Sequence, residues 1–270
     1  MFARRSRPAG RSIRRGRAVG IAAGFLADLL FADPRRGHPV AGFGTAAARL
    51  EKLTYADRRL PGVLHTALLL GGLAALGWAA GRGNRAVVTA AATYVALGGT
   101  SLNRVGGRMA TLLTADDMAG ARALLPSLCG RDPAALDAAG LTRATVESLA
   151  ENTSDAQVAP LFWAAIGGVP GVLVYRGANT LDAMIGHRSP RYARFGWAAA
   201  RFDDVLNYVP GPLTGLLTVP CAPWCGPGAQ CRGGGGLGHR VDGADRRAGH
   251  LQLIRRSDPG FDHDTGVRAV

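Results

Sequence analysis

"LPGVLHTALLLGGLAALGWAAG", residues 60–81, holds no Asp, Glu, Lys or Arg, and it lies between Arg59 and Arg82. A helix of ~20 such residues is long enough to cross a bilayer. The soluble alternative is a buried core helix of a large domain. A second charge-free run, "AVVTAAATYVALGGTSLN" at 86–103, follows the tight turn "RGNR". The two runs together predict a transmembrane hairpin. Gly71, Gly72, Gly98 and Gly99 are the small residues expected to let its helices approach closely.

Outward from this hairpin the chain alternates between apolar and polar blocks. Residues 18–32, "AVGIAAGFLADLLFA", are apolar but short and contain Asp28, as in a marginal span or an interfacial helix. Residues 1–17 carry seven arginines and no acid, the pattern of a disordered basic arm. Residues 104–155 are polar and of helical type, with Asp132–Pro133 as a helix start. The run 156–175 is uncharged and holds Gly167, Gly168, Pro170 and Gly171 at its centre, which predicts a broken or re-entrant helix. Residues 176–204 are polar and basic, and 205–220 are apolar but interrupted by Pro210 and Pro212. From Cys221 the Gly-rich tail has neither helical nor strand period and reads as disordered.

Composition narrows the function classes. Hydrophobic residues make up 47% and charged residues 19%, and the net charge is +13. Mean hydropathy is only +0.08, because the Arg-rich and Gly-rich ends dilute the apolar blocks. Basic proteins bind nucleic acid or anionic membranes. With 6% aromatic residues and no recognisable module, nucleic-acid binding is set aside in favour of the membrane. Cys221, Cys225, Cys231 and His239 lack the paired knuckle spacing of a zinc site. The only lysine, Lys52, follows Glu51, so there is no P-loop, and no context supports a pyridoxal site. Neither H-E-x-x-H nor G-x-S-x-G occurs.

The candidate chemistry lies in two acidic clusters and one short loop. In "VESLAENTSDAQVAPLFWAAIGG", 146–168, Glu147, Glu151 and Asp155 are spaced by four and fall on one helical face. A solvated acidic face is the bland reading. The stripe abuts an apolar run, however, where idle charge is costly, and a cation with substrate phosphates would compensate it. In "YRGANTLDAMIGHRSPRYARFGWAAARFDDVLNYVP", 175–210, Asn179 and Asp182 share a face, and Asp203, Asp204 and Asn207 form a similar group. Arginines lie between these acids, Arg188 and Arg191 among them. That mixture suits phosphate and metal bound together, although a juxtamembrane loop with positive-inside bias has the same look. "FADPRRGHPV", 31–40, adds Asp33 and His38.

These same stretches, with "LADLLFADPRRGHPV" and the order of apolar runs, resemble the adenosylcobinamide-phosphate synthase family, the membrane protein of cobalamin biosynthesis. The resemblance covers roughly residues 18–219 and is densest in E-N-T-x-D and N-T-L-D-x-M-x-G-x-R. It implies an all-α, polytopic helical integral membrane protein of the inner membrane, with its active site facing the cytoplasm. The corresponding division is a basic arm at 1–17, a helical membrane catalytic domain at 18–219 and a disordered, atypical tail at 220–270. It also implies ATP-dependent formation of an amide between (R)-1-amino-2-propanol O-phosphate and a propionate of adenosylcobyric acid, with Mg²⁺. Under that reading Glu147, Glu151 and Asp155 serve as base or metal ligands. Asp155, Asp182, Asp203 and Asp204 hold metal, and Asn152, Asn179, Asn207, His38, Arg188 and Arg191 bind substrate. Partners would be the corrinoid, aminopropanol phosphate, membrane lipid and other enzymes of the pathway, and no nucleic acid. Family members typically continue with more helix, a serine-proline-asparagine motif and a Gly-rich apolar ending, none of which follows Thr218. That departure leaves a second class open: a non-catalytic membrane protein that binds corrinoid or partner enzymes. A transporter would need more spanning material than one hairpin and several interrupted runs.

Overall fold

Alanine- and leucine-rich runs punctuated by Gly, Pro and Asx caps fold into ten α-helices, with no strand, over residues 9–32 and 38–218, the residues described by the computed structural model. The order is α1 (Ala9–Phe31), α2 (Pro39–Thr54), α3 (Arg59–Ala80), α4 (Arg85–Ala96), α5 (Gly99–Thr114), α6 (Met118–Leu124), α7 (Ala138–Thr153), α8 (Ala159–Ile185), α9 (Trp197–Asn207) and α10 (Pro210–Thr218). Short 3-10 turns lie at Leu125–Ser127 and Pro133–Ala135, and a π-helical segment, Ser154–Val158, joins α7 to α8. Side chains at the helix starts satisfy exposed backbone amides. Asn84 accepts from Val87, Asp117 from Gly120 and Asp137 from Gly140. Asp132 caps only the one-turn 3-10 helix at Pro133, and α7 begins later, behind Asp137. Asp33, Cys221, Cys225, Cys231, His239 and the tail expected from residue 220 lie outside the described residues.

Of the arm expected at 1–17, residues 9–17 are helical and belong to α1, which runs from Ala9 to Phe31, and residues 1–8 lie outside the described residues. Gly20 and Gly24 of α1 lie against the α4 backbone, close enough that a Cβ at either would meet the carbonyl oxygen of Ala86 or Ala90 at 2.6 Å. With Gly16 they form a G-x-x-x-G-x-x-x-G face, the usual device for tight helix pairing among apolar helices. Of the glycines expected to serve this purpose, Gly71 and Gly72 face open space, whereas Gly99 lies tightly against the Gln157 side chain. Asp28, near the end of α1, is 1% exposed and accepts from the amide and hydroxyl of Thr100, at 3.2 and 3.0 Å. It thereby caps α5, whose N-terminal dipole favours a negative charge.

The expected hairpin is also corrected. The 86–103 run breaks at Leu97–Gly98, where Gly98 N donates to Ala156 O at 3.1 Å. α3 packs along α8 and α9, whereas α4 packs along α1 and α8. α8 is therefore the shared partner of the two helices. Two helical segments, Arg59–Ala80 and one within Ala138–Ile185, are long and apolar enough to cross a membrane. Only 22% of the apolar window of α3 is buried, and Leu60, Leu64, Leu68, Leu76 and Trp78 face outward. The core helix of a soluble domain would be mostly covered.

α8 is broken, as its glycines and proline imply. Gly168 has φ 61° and ψ −146°, a region essentially restricted to glycine. Pro170 brings no N–H and cannot bond to Ile166 O. Arg17 Nη1 replaces the missing donors, binding Ala165 O at 3.1 Å and Ile166 O at 3.0 Å. The chain then doubles back. Asp155 and Asn179 would lie ~36 Å apart in a straight helix, yet Asn179 Nδ2 reaches Asp155 Oδ2 at 3.3 Å. Tyr175, Ala178, Leu181 and Ile185 of the returning arm pack with Leu70, Phe195 and Leu206 in the main core. Ala92 and Ala96 of α4 meet Ala164, Val169 and Val172 around the break, and α5, α6 and α7 close a separate core around Met109, Leu125 and Leu141.

Gly168→Ala is expected to destabilise the fold by about 1–3 kcal/mol, and Arg17→Gln to lower the melting temperature in the same sense. Gly71→Ala, in open space on α3, should be neutral or slightly stabilising. Thermal unfolding of the purified chain checks all three, and equal melting temperatures for Gly168→Ala and Gly71→Ala would refute the assignment of the break.

Candidate functional site

The fold-back of α8 sets one acid of the first motif against the polar residues of the second. Tyr175, Asn179 and Asp182 lie on one face of the returning arm, at spacings of four and three. All three are buried. The Tyr175 hydroxyl donates to Asn207 Oδ1 at 3.0 Å and sits 3.5 Å from Asp155 Oδ1. Asn207 Nδ2 in turn donates to Asp203 Oδ2 at 3.1 Å. Asp155, Tyr175, Asn179, Asn207 and Asp203 therefore form one linked polar cluster, drawn from the π-helical segment, α8 and α9. Asp182 lies near enough for its charge to act on Asp203. Burial first, and then the carboxylates of Asp155 and Asp182, hold the Asp203 carboxyl well above the usual carboxylate range.

Two buried oxygens of this cluster, Asn179 Oδ1 and Asp203 Oδ1, have no hydrogen-bond partner within the protein. Buried polar atoms are normally satisfied. Among the described residues no three His, Cys, Asp or Glu side chains are placed to hold a metal by themselves. The donor set instead fits a hard cation held by one or two carboxylates, with phosphate oxygens completing its shell, which is how Mg²⁺ is commonly bound.

The other candidates are placed elsewhere or used locally. Glu147 does not share the cluster with Asp155, because Arg131 and Arg143 pair with it at 2.8 and 2.9 Å. Glu151 is half-buried, one turn before Asp155. Asn152 is buried and donates to Ser148 O at 2.8 Å and Leu128 O at 3.4 Å, tying α7 to the segment behind α6. Asp204 is on the opposite, exposed side of α9 from Asp203, within 4.0 Å of Arg201. His38 caps α2, its Nδ1 accepting from Val40 N at 3.2 Å. Arg188 is exposed on the segment between α8 and α9. Arg191 is bound to Glu51 at 3.0 Å and lies over the Tyr55 ring. Tyr192 also donates to Glu51, at 2.9 Å, and Arg194 pairs with Asp57 at 3.5 Å. Hydrogen bonding to Glu51 holds the Arg191 guanidinium above its usual range, while burial, and next Glu51, push the Tyr192 phenol up. The arginine-rich loop is thus stapled to the corner between α2 and α3.

The model of the CobD/Cbib protein family matches residues 21–252. The chain belongs to this family. A cobalamin biosynthesis protein CobD from Mycobacterium tuberculosis is 59% identical over 214 residues, covering 78% of this chain and 68% of the relative. Proteins of the same name from Rhodobacter capsulatus and Geobacter metallireducens are each 42% identical, over 198 and 212 residues. These matches cover 69% and 74% of this chain and 63% and 67% of the relatives. No solved structure matches. The resemblance read from the motifs is therefore to the right family, and the family match extends well beyond Thr218, where the motif resemblance stops.

Within this CobD/Cbib chain, sequence reasoning missed Glu51 and Tyr175. Tyr175 was legible, since it stands four residues before Asn179 in the quoted motif. Glu51 had a weaker signal, being the one acid between Asp33 and Asp57.

The raised Asp203 carboxyl has a stability consequence. Between the ordinary carboxylate range and its raised value, the folded state keeps a proton that the unfolded state has lost. Stability attributable to this group therefore falls as pH rises through that window. Asp203→Asn lacks the penalty, so its melting temperature should equal or exceed that of the parent near neutral pH, with the gap closing as pH falls to the ordinary carboxylate range. A lower melting temperature at neutral pH would contradict this.

Proposed function

We propose that this CobD/Cbib chain acts in cobalamin biosynthesis, as the membrane ligase that forms adenosylcobinamide phosphate. The observation that carries the reading is the fold-back at Gly168, because it joins residues of both family motifs, Asp155 with Asn179, in one buried cluster. The substrates would be adenosylcobyric acid, (R)-1-amino-2-propanol O-phosphate and ATP. A carboxylate is a poor electrophile, and transfer of a phosphoryl group to the propionate makes an acyl phosphate. The amine then attacks the acyl carbon, the amide bond forms, and phosphate leaves with the electron pair of the broken C–O bond.

Asp155 and Asp203, with Asn179 Oδ1, are the residues that would hold Mg²⁺. Bound there, the ion neutralises phosphate charge. Asp182 would adjust the charge beside it, and Glu151, half-buried at the rim, would accept the ammonium proton. Exposed Arg188 would receive a substrate phosphate. Burial under α3 and α9 would exclude water from the acyl phosphate. The exposed apolar face of α3 supports an integral membrane protein, and we place it in the inner membrane with the cluster open to the cytoplasm. The non-catalytic alternative gains no support from the cluster, since a binding scaffold has no need of mutually repelling buried carboxylates.

Purified protein should convert adenosylcobyric acid and aminopropanol phosphate to the amide in an ATP-dependent manner. Asp155→Asn and Asp203→Asn are each expected to lower turnover by ~10²-fold or more while the chain stays folded. Glu147→Gln, whose carboxylate is engaged by Arg131 and Arg143, should turn over at close to the parent rate. Near-normal rates in both aspartate variants would overturn the assignment.

A further inference from the structure

The broken tip of α8 borders a second polar feature, well away from the acidic cluster. Eleven residues of helix separate Gly168 from Asn179, a rise of ~16 Å. At the tip a cavity of about 260 Å³ is lined by Arg17, Arg82, Arg85, Trp78, Thr89 and the backbone around Gly168. Three elements distant in sequence deliver the arginines: α1, the α3–α4 turn and the start of α4. None has an acidic partner among the described residues. No Asp or Glu occurs between Asp57 and Asp116, nor between Asp155 and Asp182, and the only acid of α1, Asp28, is bound to Thr100. Arg85 is exposed and forms no hydrogen bond or ion pair with the described residues. Arg82 is stacked 3.6 Å from the Trp78 ring centroid, which leaves the edge of its guanidinium free to donate. Arg17 uses Nη1 on the α8 carbonyls, while its Nη2 lies over Gly168. The N-terminus of α4 begins at Arg85 and adds positive potential.

We propose that this cavity is an anion site for a phosphate group, carried by a phospholipid headgroup or free in solution. Three guanidiniums without carboxylates match a group with several anionic oxygens, and guanidinium donates to phosphate in a bidentate manner. The volume falls below that of a drug-sized pocket and suits a phosphate or a small headgroup. The site lies at the end of α3 where the outward apolar face stops at Trp78, the level at which a lipid phosphate would sit. The proposal does not depend on the ligase reading.

The test uses the full chain in a neutral detergent. One arm measures equilibrium binding of radiolabelled inorganic phosphate. The other compares the melting temperature in mixed micelles containing dioleoylphosphatidylglycerol with that in micelles containing dioleoylphosphatidylcholine. The variants are Arg82→Gln with Arg85→Gln and, as a control for equal loss of charge, Arg104→Gln with Arg108→Gln on α5. Saturable phosphate binding weakened about tenfold or more by the first pair but not by the control supports a free-phosphate ligand. A stabilisation specific to phosphatidylglycerol, lost in the first pair only, supports the lipid source. If neither ligand binds, or if both pairs bind like the parent or weaken binding equally, the proposal is overturned.

Discussion

Two carbonyl groups, those of Ala165 and Ile166, set the terms for the rest of the molecule. The glycine at 168 and the proline at 170 end the helix that these carbonyls belong to, in a region lined by Ala92, Ala96, Ala164 and Val172. Ala165 and Ile166 are themselves exposed, and a carbonyl left unpaired towards an apolar medium such as lipid costs several kcal/mol. Arg17 answers both with one guanidinium. Its position depends on α1 lying tightly against α4, which depends in turn on Gly20 and Gly24. The returning arm, the core it builds with α3 and α9, and the meeting of Asp155 with Asn179 all result from a turn that α1 holds open.

That chain of dependence explains what could be read in the residues and what could not. The break in 156–175 was legible, because Gly-Gly and Pro-Gly act through local backbone chemistry. The apolar length of α3 was legible for the same reason. Pairing was not. A charge-free run does not name its neighbour, and a short connecting turn suggests a hairpin even when α8 serves as the partner of both α3 and α4. Of the glycines expected to allow close approach, Gly99 does so against Gln157, whereas Gly71 and Gly72, within the most apolar run, do not. Gly20 and Gly24 sit in α1, where flanking arginines make the motif look like an arm, and Gly77 of α3 meets Pro170 at the break in α8.

The acidic stripe divides between two sets of partners. Glu147 and Glu151 stand on the regular helix α7, while Asp155 lies at the start of the π-helical segment Ser154–Val158. Glu147 has two arginines beside it, contributed by α7 and by the loop before α7. Asp155 faces Tyr175 and Asn179 instead. π-bulges cost hydrogen-bond geometry and are found most often where function retains them. Here the bulge also carries the Ala156 carbonyl that receives Gly98 N at the break between α4 and α5. Two interruptions of regular helix thus support one another at the level of the cluster.

The charges sort themselves along the returning arm. Carboxylates gather near its C-terminal end, and arginines without acidic partners gather at its tip. A helix dipole would by itself favour the reverse of the first arrangement, since its C-terminus repels negative charge. Asp182 therefore sits where the backbone adds to the repulsion among Asp155, Asp182 and Asp203, rather than where it relieves that repulsion. A fold selected for stability alone would have replaced at least one of them by an amide, as it has at Asn179 and Asn207 on the same faces. Asp155, Asp182 and Asp203, with the unmet Asn179 Oδ1 and Asp203 Oδ1 beside them, form a cluster whose repulsion a bound cation would relieve. Relief of that kind is the physical argument behind the proposed reacting centre.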